Sequence, residues 1–160
     1  MPSLVSLEKT ISFGLTEPEN GSDASGLRTT AEKVDKGYLL SGTKRWIGNA
    51  TVADYIIVWA RNVSSGGKIQ GFVVTKGSQG LRTEKIPFKM ATRMGQNAMV
   101  YLDRVFVPDD MRLAKADDFQ SGTAAMLRSS RLLVAFQAVG VMAGAYETAL
   151  QYCLKRTQFG

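Results

Sequence analysis

Tyr55 to Thr75 reads YIIVWARNVSSGGKIQGFVVT: two apolar runs, YIIVWAR and IQGFVVT, on either side of NVSSGGK, a polar connection of Gly and Ser. Each run has strand length, is enriched in β-branched and aromatic residues and contains no Pro, so the stretch predicts a β-hairpin. The same grammar continues on both sides. Thr29–Val34 and Tyr38–Thr43 flank Asp35-Lys36-Gly37 as a second hairpin, and Leu81–Pro87 and Ala98–Val107 supply further strands before Pro108-Asp109-Asp110 closes the series. About six short strands at this spacing predict a mainly β domain, a small antiparallel barrel or sandwich.

The character changes after Arg112. Asp117 and Asp118 offer an N-terminal cap, with Ser121 as a competing cap. From Thr123 to Arg156 there is no Pro, and only Gly140 and Gly144 interrupt a run of helix formers, which predicts one long helix. Leu132–Tyr146 is apolar nearly all round, so it needs burial on several sides. A membrane span takes about 20 apolar residues. Here Arg131 and Glu147 bound a shorter run that includes Gln137, which favours a bundle over a bilayer, and Gly140-Val-Met-Ala-Gly144 is suited to close helix packing. The partners for this helix are not evident elsewhere in the chain, so the sequence reads as a fragment, or as a subunit completed by association.

Composition removes several chemistries. The 160 residues contain no His, so a Ser-His triad or a His-based metal site is excluded, and no metal site is expected. Cys153 stands alone, and MPSLVSLEKT lacks a basic segment followed by an apolar one, so a secreted, disulfide-held protein is not expected. A net charge of +6 favours an anionic partner: a nucleotide, a phosphate-bearing cofactor or a nucleic acid. One alternative is therefore a basic β barrel that stacks Trp46, Tyr55, Trp59 and Tyr101 on single-stranded nucleic acid, although cations and aromatics are not interleaved.

Gly14–Gly26, GLTEPENGSDASG, has neither helical nor strand period; read alone it is an Asx or Ser turn joining two elements. Taken with three other stretches it says more. LTEPENGSD (Leu15–Asp23), KRWIGN (Lys44–Asn49), VFVPDD (Val105–Asp110) and RTQFG (Arg156–Gly160), in this order and spacing, resemble the acyl-CoA dehydrogenase and acyl-CoA oxidase family. The Trp-Ile-Gly-Asn form most resembles plant-type peroxisomal short-chain acyl-CoA oxidases, with glutaryl-CoA dehydrogenase next.

The resemblance implies a truncated acyl-CoA dehydrogenase-like fold. Residues 1–11 would end an N-terminal helical domain, 12–112 would form the middle β domain, and 117–160 would be the first helix of a C-terminal helical domain. FAD would lie where the middle and C-terminal domains meet. Phe13, Gly14, Leu15, Thr16, Glu17, Pro18, Gly21 and Ser22 would line it, with Ser22 also reaching the acyl-CoA substrate. Trp46, Ile47 and Gly48 would form a second flavin segment. Arg156, Gln158 and Phe159 would reach the FAD of a neighbouring subunit in a homo-oligomer, a tetramer in the full-length family, and Arg131 would contact CoA. A flavin's pyrimidine edge needs backbone groups and small hydroxyls without bulk, which Thr16, Gly21 and Ser22 provide, while Pro18 stiffens the turn.

Two departures matter. Gly48 stands where dehydrogenases of the family carry Thr or Ser, which removes a hydroxyl near the flavin and opens space for oxygen. Arg128 stands where some relatives have Asp or Asn. The implied reaction is α,β-dehydrogenation of an acyl-CoA in fatty acid β-oxidation. The family's Glu base lies in later helices, and neither Glu17 nor Glu147 occupies its motif, so no catalytic residue is assigned. The expected compartment is the peroxisome, with the mitochondrion as alternative. A third reading is an inactive fragment that associates with full-length subunits through the 123–156 helix.

Overall fold

Apolar residues that alternate, or run unbroken, over five to twelve positions need a partner on each edge for their backbone groups, and a sheet supplies it. The structure, a computed structural model, describes residues 2–160. A short helix α1 (Pro2–Val5) precedes seven strands: β1 (Ile11–Gly14), β2 (Thr30–Val34), β3 (Gly37–Gly48), β4 (Tyr55–Asn62), β5 (Lys68–Thr75), β6 (Leu81–Lys85) and β7 (Asn97–Pro108). The Tyr55–Thr75 hairpin is present. β4 and β5 pair antiparallel from Tyr55 opposite Thr75 to Asn62 opposite Lys68. β2 and β3 form the second hairpin, with Val34 opposite Gly37 across Asp35 and Lys36.

The strands make one sheet in the order β1-β4-β2-β3-β7-β6, with β5 on β4. The antiparallel expectation holds for β2/β3, β3/β7, β4/β5 and β6/β7, and is corrected for β1/β4 and β2/β4, which run parallel. The geometry of β4 explains why. β5 occupies one of its edges along the full length, so β1 and β2 share the other: β1 along Tyr55–Val58, β2 at Arg61 and Asn62. Two strands of the same direction in line on one edge require the chain between them to leave the sheet and return. That excursion is Leu15–Thr29, the aperiodic stretch. β1 itself is too short to show an apolar period.

The sheet curls around one core, giving a half-barrel. Leu40, Ile56, Val58, Phe72, Val74, Val100, Val105 and Val107 are all buried in one cluster, and the Tyr38 and Phe72 rings meet at 4.9 Å. The compact β unit runs through Thr123, beyond Arg112. Phe72 bridges to Arg112, Leu113 N–H donates to the Gly71 carbonyl (2.9 Å), Gln70 Nε2 donates to the Asp117 carbonyl (3.2 Å), and Ala116 is buried.

The second unit is Ala124–Gly160. Its helix α2 (Ala125–Lys155) continues from a π-helical turn over Gln120–Ala124. Of the two acids proposed as caps, Asp118 serves: its carboxylate accepts from Ser121 N–H at 2.8 Å while Ser121 Oγ accepts from Asp118 N–H at 3.1 Å, a reciprocal cap. The Ser121 N–H and the Ser121 hydroxyl, each donating to the Asp118 carboxylate at 2.8 Å, hold that carboxyl below its ordinary value. Asp117 is used elsewhere, pairing with Arg112 at 3.2 Å. No residue of α2 is buried; Leu133, Phe136, Val141 and Tyr146 are each more than three-fifths exposed. By length and composition α2 could cross a membrane.

Candidate functional site

The Leu15–Thr29 excursion leaves from β1 and returns to β2, which pairs with β3, and hydrogen bonds join it to Lys44 and Arg45 of β3. Glu17 is buried. Its Oε1 accepts from Thr29 N–H (2.9 Å), Thr29 Oγ1 (2.5 Å) and Lys44 Nζ (2.8 Å), and its Oε2 accepts from Arg28 N–H (2.6 Å). Lys44, fully buried on β3, donates also to the Leu15 carbonyl at 3.1 Å. Next along, Arg45 N–H donates to the Thr16 carbonyl at 2.8 Å, and Ser12 Oγ donates to the Gly48 carbonyl at 2.8 Å. The 12–17 and 44–48 segments, distant in sequence, are thus joined side by side.

The electrostatics follow from burial. Desolvation pulls the Lys44 ammonium down to about 8 against the opposing pull of Glu17. For Glu17, desolvation pushes the carboxyl up, and the donors Lys44, Thr29 and Arg28 N–H together outweigh it, leaving it below its ordinary value.

Trp46 is aimed by a β-bulge. Against β7, Lys44 lies opposite Val100 but Ile47 lies opposite Ala98, so β3 holds one extra residue between them. Trp46 takes φ 63°, a left-handed conformation that a bulky residue adopts only where its surroundings enforce it. Here Asn97 Nδ2 donates to the Trp46 carbonyl at 3.0 Å. The result is that Ile47 points into the core while Trp46 stands 47% exposed with the Arg45 guanidinium 5.1 Å from its ring centre. A Cβ placed on Gly48 would meet nothing within 4 Å, so the space beside the Trp46 segment is open.

The proposed residues therefore divide. Thr16, Trp46, Ile47 and Gly48 lie in or beside the joined segments. Phe13 is half-buried on β1, edge-on to Trp59 at 6.0 Å, and Gly14 and Leu15 are buried. Glu17 turns its carboxylate inward, so its part is to hold the loop. Pro18, Gly21 and Ser22 are exposed on the excursion, the hydroxyl of Ser22 lying outside the Glu17–Lys44 network. Gly21 has open space around it. Arg131 sits on α2, and Arg156, Gln158 and Phe159 follow its last turn, all exposed. Sequence reasoning missed Lys44, Thr29 and Asn97. The signal for Lys44 was its place directly before Arg45-Trp46, in the strand that carries the second motif.

Trp59 is 3% exposed and so cannot stack on a ligand at the surface, which removes one of the four aromatics of the nucleic-acid alternative. Among the described residues no group of acidic residues or Cys has metal-ligand geometry. A flat aromatic face, open space beside it and a backbone loop pinned at its flank fit one edge of a slot for a planar ring.

The family described as acyl-CoA dehydrogenase, middle domain, matches residues 12–105, and acyl-CoA dehydrogenase, C-terminal domain, matches residues 121–160. Mitochondrial isovaleryl-CoA dehydrogenase of Arabidopsis thaliana is 32% identical over all of this chain, which spans 40% of that relative. Glutaryl-CoA dehydrogenase from Mycobacterium smegmatis superposes with a TM-score of 0.91 at 38% identity, over 99% of this chain and 40% of its own. A glutaryl-CoA dehydrogenase of the same organism in complex with FADH2 gives 0.90 at 32% identity, covering 99% and 40%. The chain thus spans about two fifths of the length of these relatives. On the match of both domains in their order, this chain belongs to the acyl-CoA dehydrogenase family.

Proposed function

We propose that this chain supplies the middle β domain and the first C-terminal helix of an FAD-dependent enzyme that dehydrogenates acyl-CoA thioesters at the α and β carbons. Residues 1–11 are read as the end of a preceding helical domain, 12–112 as the β domain and 117–160 as the start of the following one. The observation that carries the reading is the union of the Thr16 loop with the bulged Trp46 segment into one edge. FAD, when bound, supplies the acceptor for the hydride. The residues of this chain bind and orient. The Thr16 loop offers backbone groups, Trp46 offers a flat apolar face that excludes water, and Ser22 is assigned to the acyl-CoA. Arg131 is assigned to CoA phosphate, and Arg156, Gln158 and Phe159 to the FAD of a second subunit in a homo-oligomer.

No base is assigned within these residues. Glu17 is committed to four donors in the interior, and the chain alone is expected not to turn over butyryl-CoA or hexanoyl-CoA. Gly48 supports oxidase chemistry, because the space a hydroxyl-bearing side chain would fill is open; with it goes a peroxisomal setting. In the full-length protein Gly48→Thr is expected to slow flavin reoxidation by oxygen, and equal rates would refute the oxidase assignment. By itself this chain is expected to hold FAD poorly, because the reading places the cofactor between domains and between subunits. The flavin edge is therefore tested in the full-length protein: Trp46→Ala should weaken FAD binding to the stripped apoprotein at least about tenfold, and unchanged affinity would overturn the reading.

A further inference from the structure

The Thr16 loop and the Trp46 bulge are held by something beneath them. Lys44 is fully buried, as is Glu17 but for a few per cent, and they meet at 2.8 Å. A buried ion pair is a poor device for stability alone, because an apolar pair of similar volume serves as well or better. What it adds is direction. One ammonium donates both to Glu17 and to the Leu15 carbonyl, so a point on β3 is fixed to the backbone where the excursion leaves the sheet. The two Glu17 oxygens take the Arg28 and Thr29 N–H groups, which fixes the same carboxylate to the backbone where the excursion returns. Both ends of the loop are therefore tied to one lysine side chain, and that lysine directly precedes the Arg45-Trp46 bulge. Arg45 N–H closes the arrangement on the Thr16 carbonyl.

Resting on the flavin-edge reading above, we propose that Lys44 and Glu17 are positioning residues: their pair sets the register of the Thr16 loop against Trp46, and so the width of the slot edge that receives the ring. Neither side chain touches the cofactor in this role. They act through Leu15, Thr16 and the return of the loop at Thr29.

The test separates positioning from folding. FAD is titrated into the stripped full-length apoprotein and flavin fluorescence is followed, alongside melting temperature and hydrogen exchange of the Arg45 amide. Lys44→Met alone leaves a buried carboxylate without its cation and is expected to melt lower. Lys44→Met with Glu17→Gln removes that charge and should recover most of the melting temperature. FAD affinity of the double variant should nevertheless stay at least about tenfold weaker than the control, and Arg45 should exchange at least about tenfold faster while Phe72 in the core does not. The milder Glu17→Gln, which keeps volume and one acceptor, should show the same Arg45 exchange in smaller measure, and provides the reading if the double variant does not fold. Affinity in the folded double variant within twofold of the control would overturn the proposal, as would affinity that recovers in step with melting temperature, or unchanged Arg45 exchange in Glu17→Gln. If Trp46→Ala leaves FAD affinity unchanged, the flavin reading falls and this proposal with it; if Trp46→Ala weakens binding while the Lys44 and Glu17 variants bind as the control does, the proposal alone is overturned.

Discussion

Lys44 is an ammonium group removed from water, and the interior tolerates it because Glu17 and the Leu15 carbonyl replace part of its hydration. Removing one partner strands the other. Lys44→Met is expected to lower the unfolding free energy by about 3–5 kcal/mol, measured by denaturant titration, and a loss under about 1 kcal/mol would show that the pair is not desolvated as described. The pH dependence has a definite sign. Glu17 is lowered in the folded chain from its ordinary 4.5, so its stabilisation is complete above that value and is lost as pH falls through the lower folded one. The melting temperature should therefore fall on acidification below about pH 4.5, and Glu17→Gln should flatten that acid limb while melting lower at neutral pH. Lys44 acts in the same direction at the alkaline end. Between about 8 and 10.5 the unfolded chain holds more protons, so this residue favours folding increasingly as pH rises. Gly48 behaves oppositely to both. Its backbone is not left-handed and an added Cβ touches nothing, so Gly48→Thr should change stability by no more than about 0.5 kcal/mol, which makes the oxygen experiment a clean one.

At the scale of elements, the bulge in β3 and the reciprocal cap at Asp118 show how local departures from regularity place side chains. One extra residue between Lys44 and Ile47 turns Trp46 outward without moving Ile47 from the core. The approach to α2 is as tightly specified. Gly122 lies against the Trp59 indole, where an added Cβ would come within 2.6 Å of ring carbon and 3.0 Å of the Ala116 Cβ. Gly122→Ala is expected to cost about 1–3 kcal/mol through overpacking against a ring that is itself buried, read as a lowered denaturation midpoint with an unchanged slope. A neutral result would mean that the π-helical turn shifts freely. Leu15–Thr29 illustrates the limits of periodicity. It carries no helical or strand signal because it is an excursion between two strands on one edge, and its order comes from side-chain bonds rather than from any repeat: Glu17 to Thr29, Arg61 to the Ser25 and Leu27 carbonyls, and Asp23 to Gly26 N–H.

For the molecule as a whole, the dominant physical fact is the contrast between its units. The β unit encloses a core cluster, whereas α2 has no buried residue over 31 positions. An apolar surface of that extent associates in water. The isolated chain should therefore show, by light scattering, a mass at least twice its 17.4 kDa, and Leu133→Glu with Phe136→Lys should shift it toward the monomer. A monodisperse monomer would indicate that α2 finds cover within its own chain.

The sequence by itself determined where most strands lie, that a long helix follows them, and to which family four spaced motifs belong, because alternation, length and turn chemistry are local properties that do not depend on what packs against them. Only the tertiary structure decided that β1 and β2 share one edge of β4, that Trp59 is interior and Trp46 half-exposed, and that Lys44 reaches under the Thr16 loop. Both tryptophans sit in strands, and strand propensity does not tell their exposure apart; a one-residue bulge did. Lysine reads as a surface residue in any window of sequence, and its burial depended on a carboxylate twenty-seven positions away. Pairing across such a separation is a property of the folded sheet and has no local sequence signal.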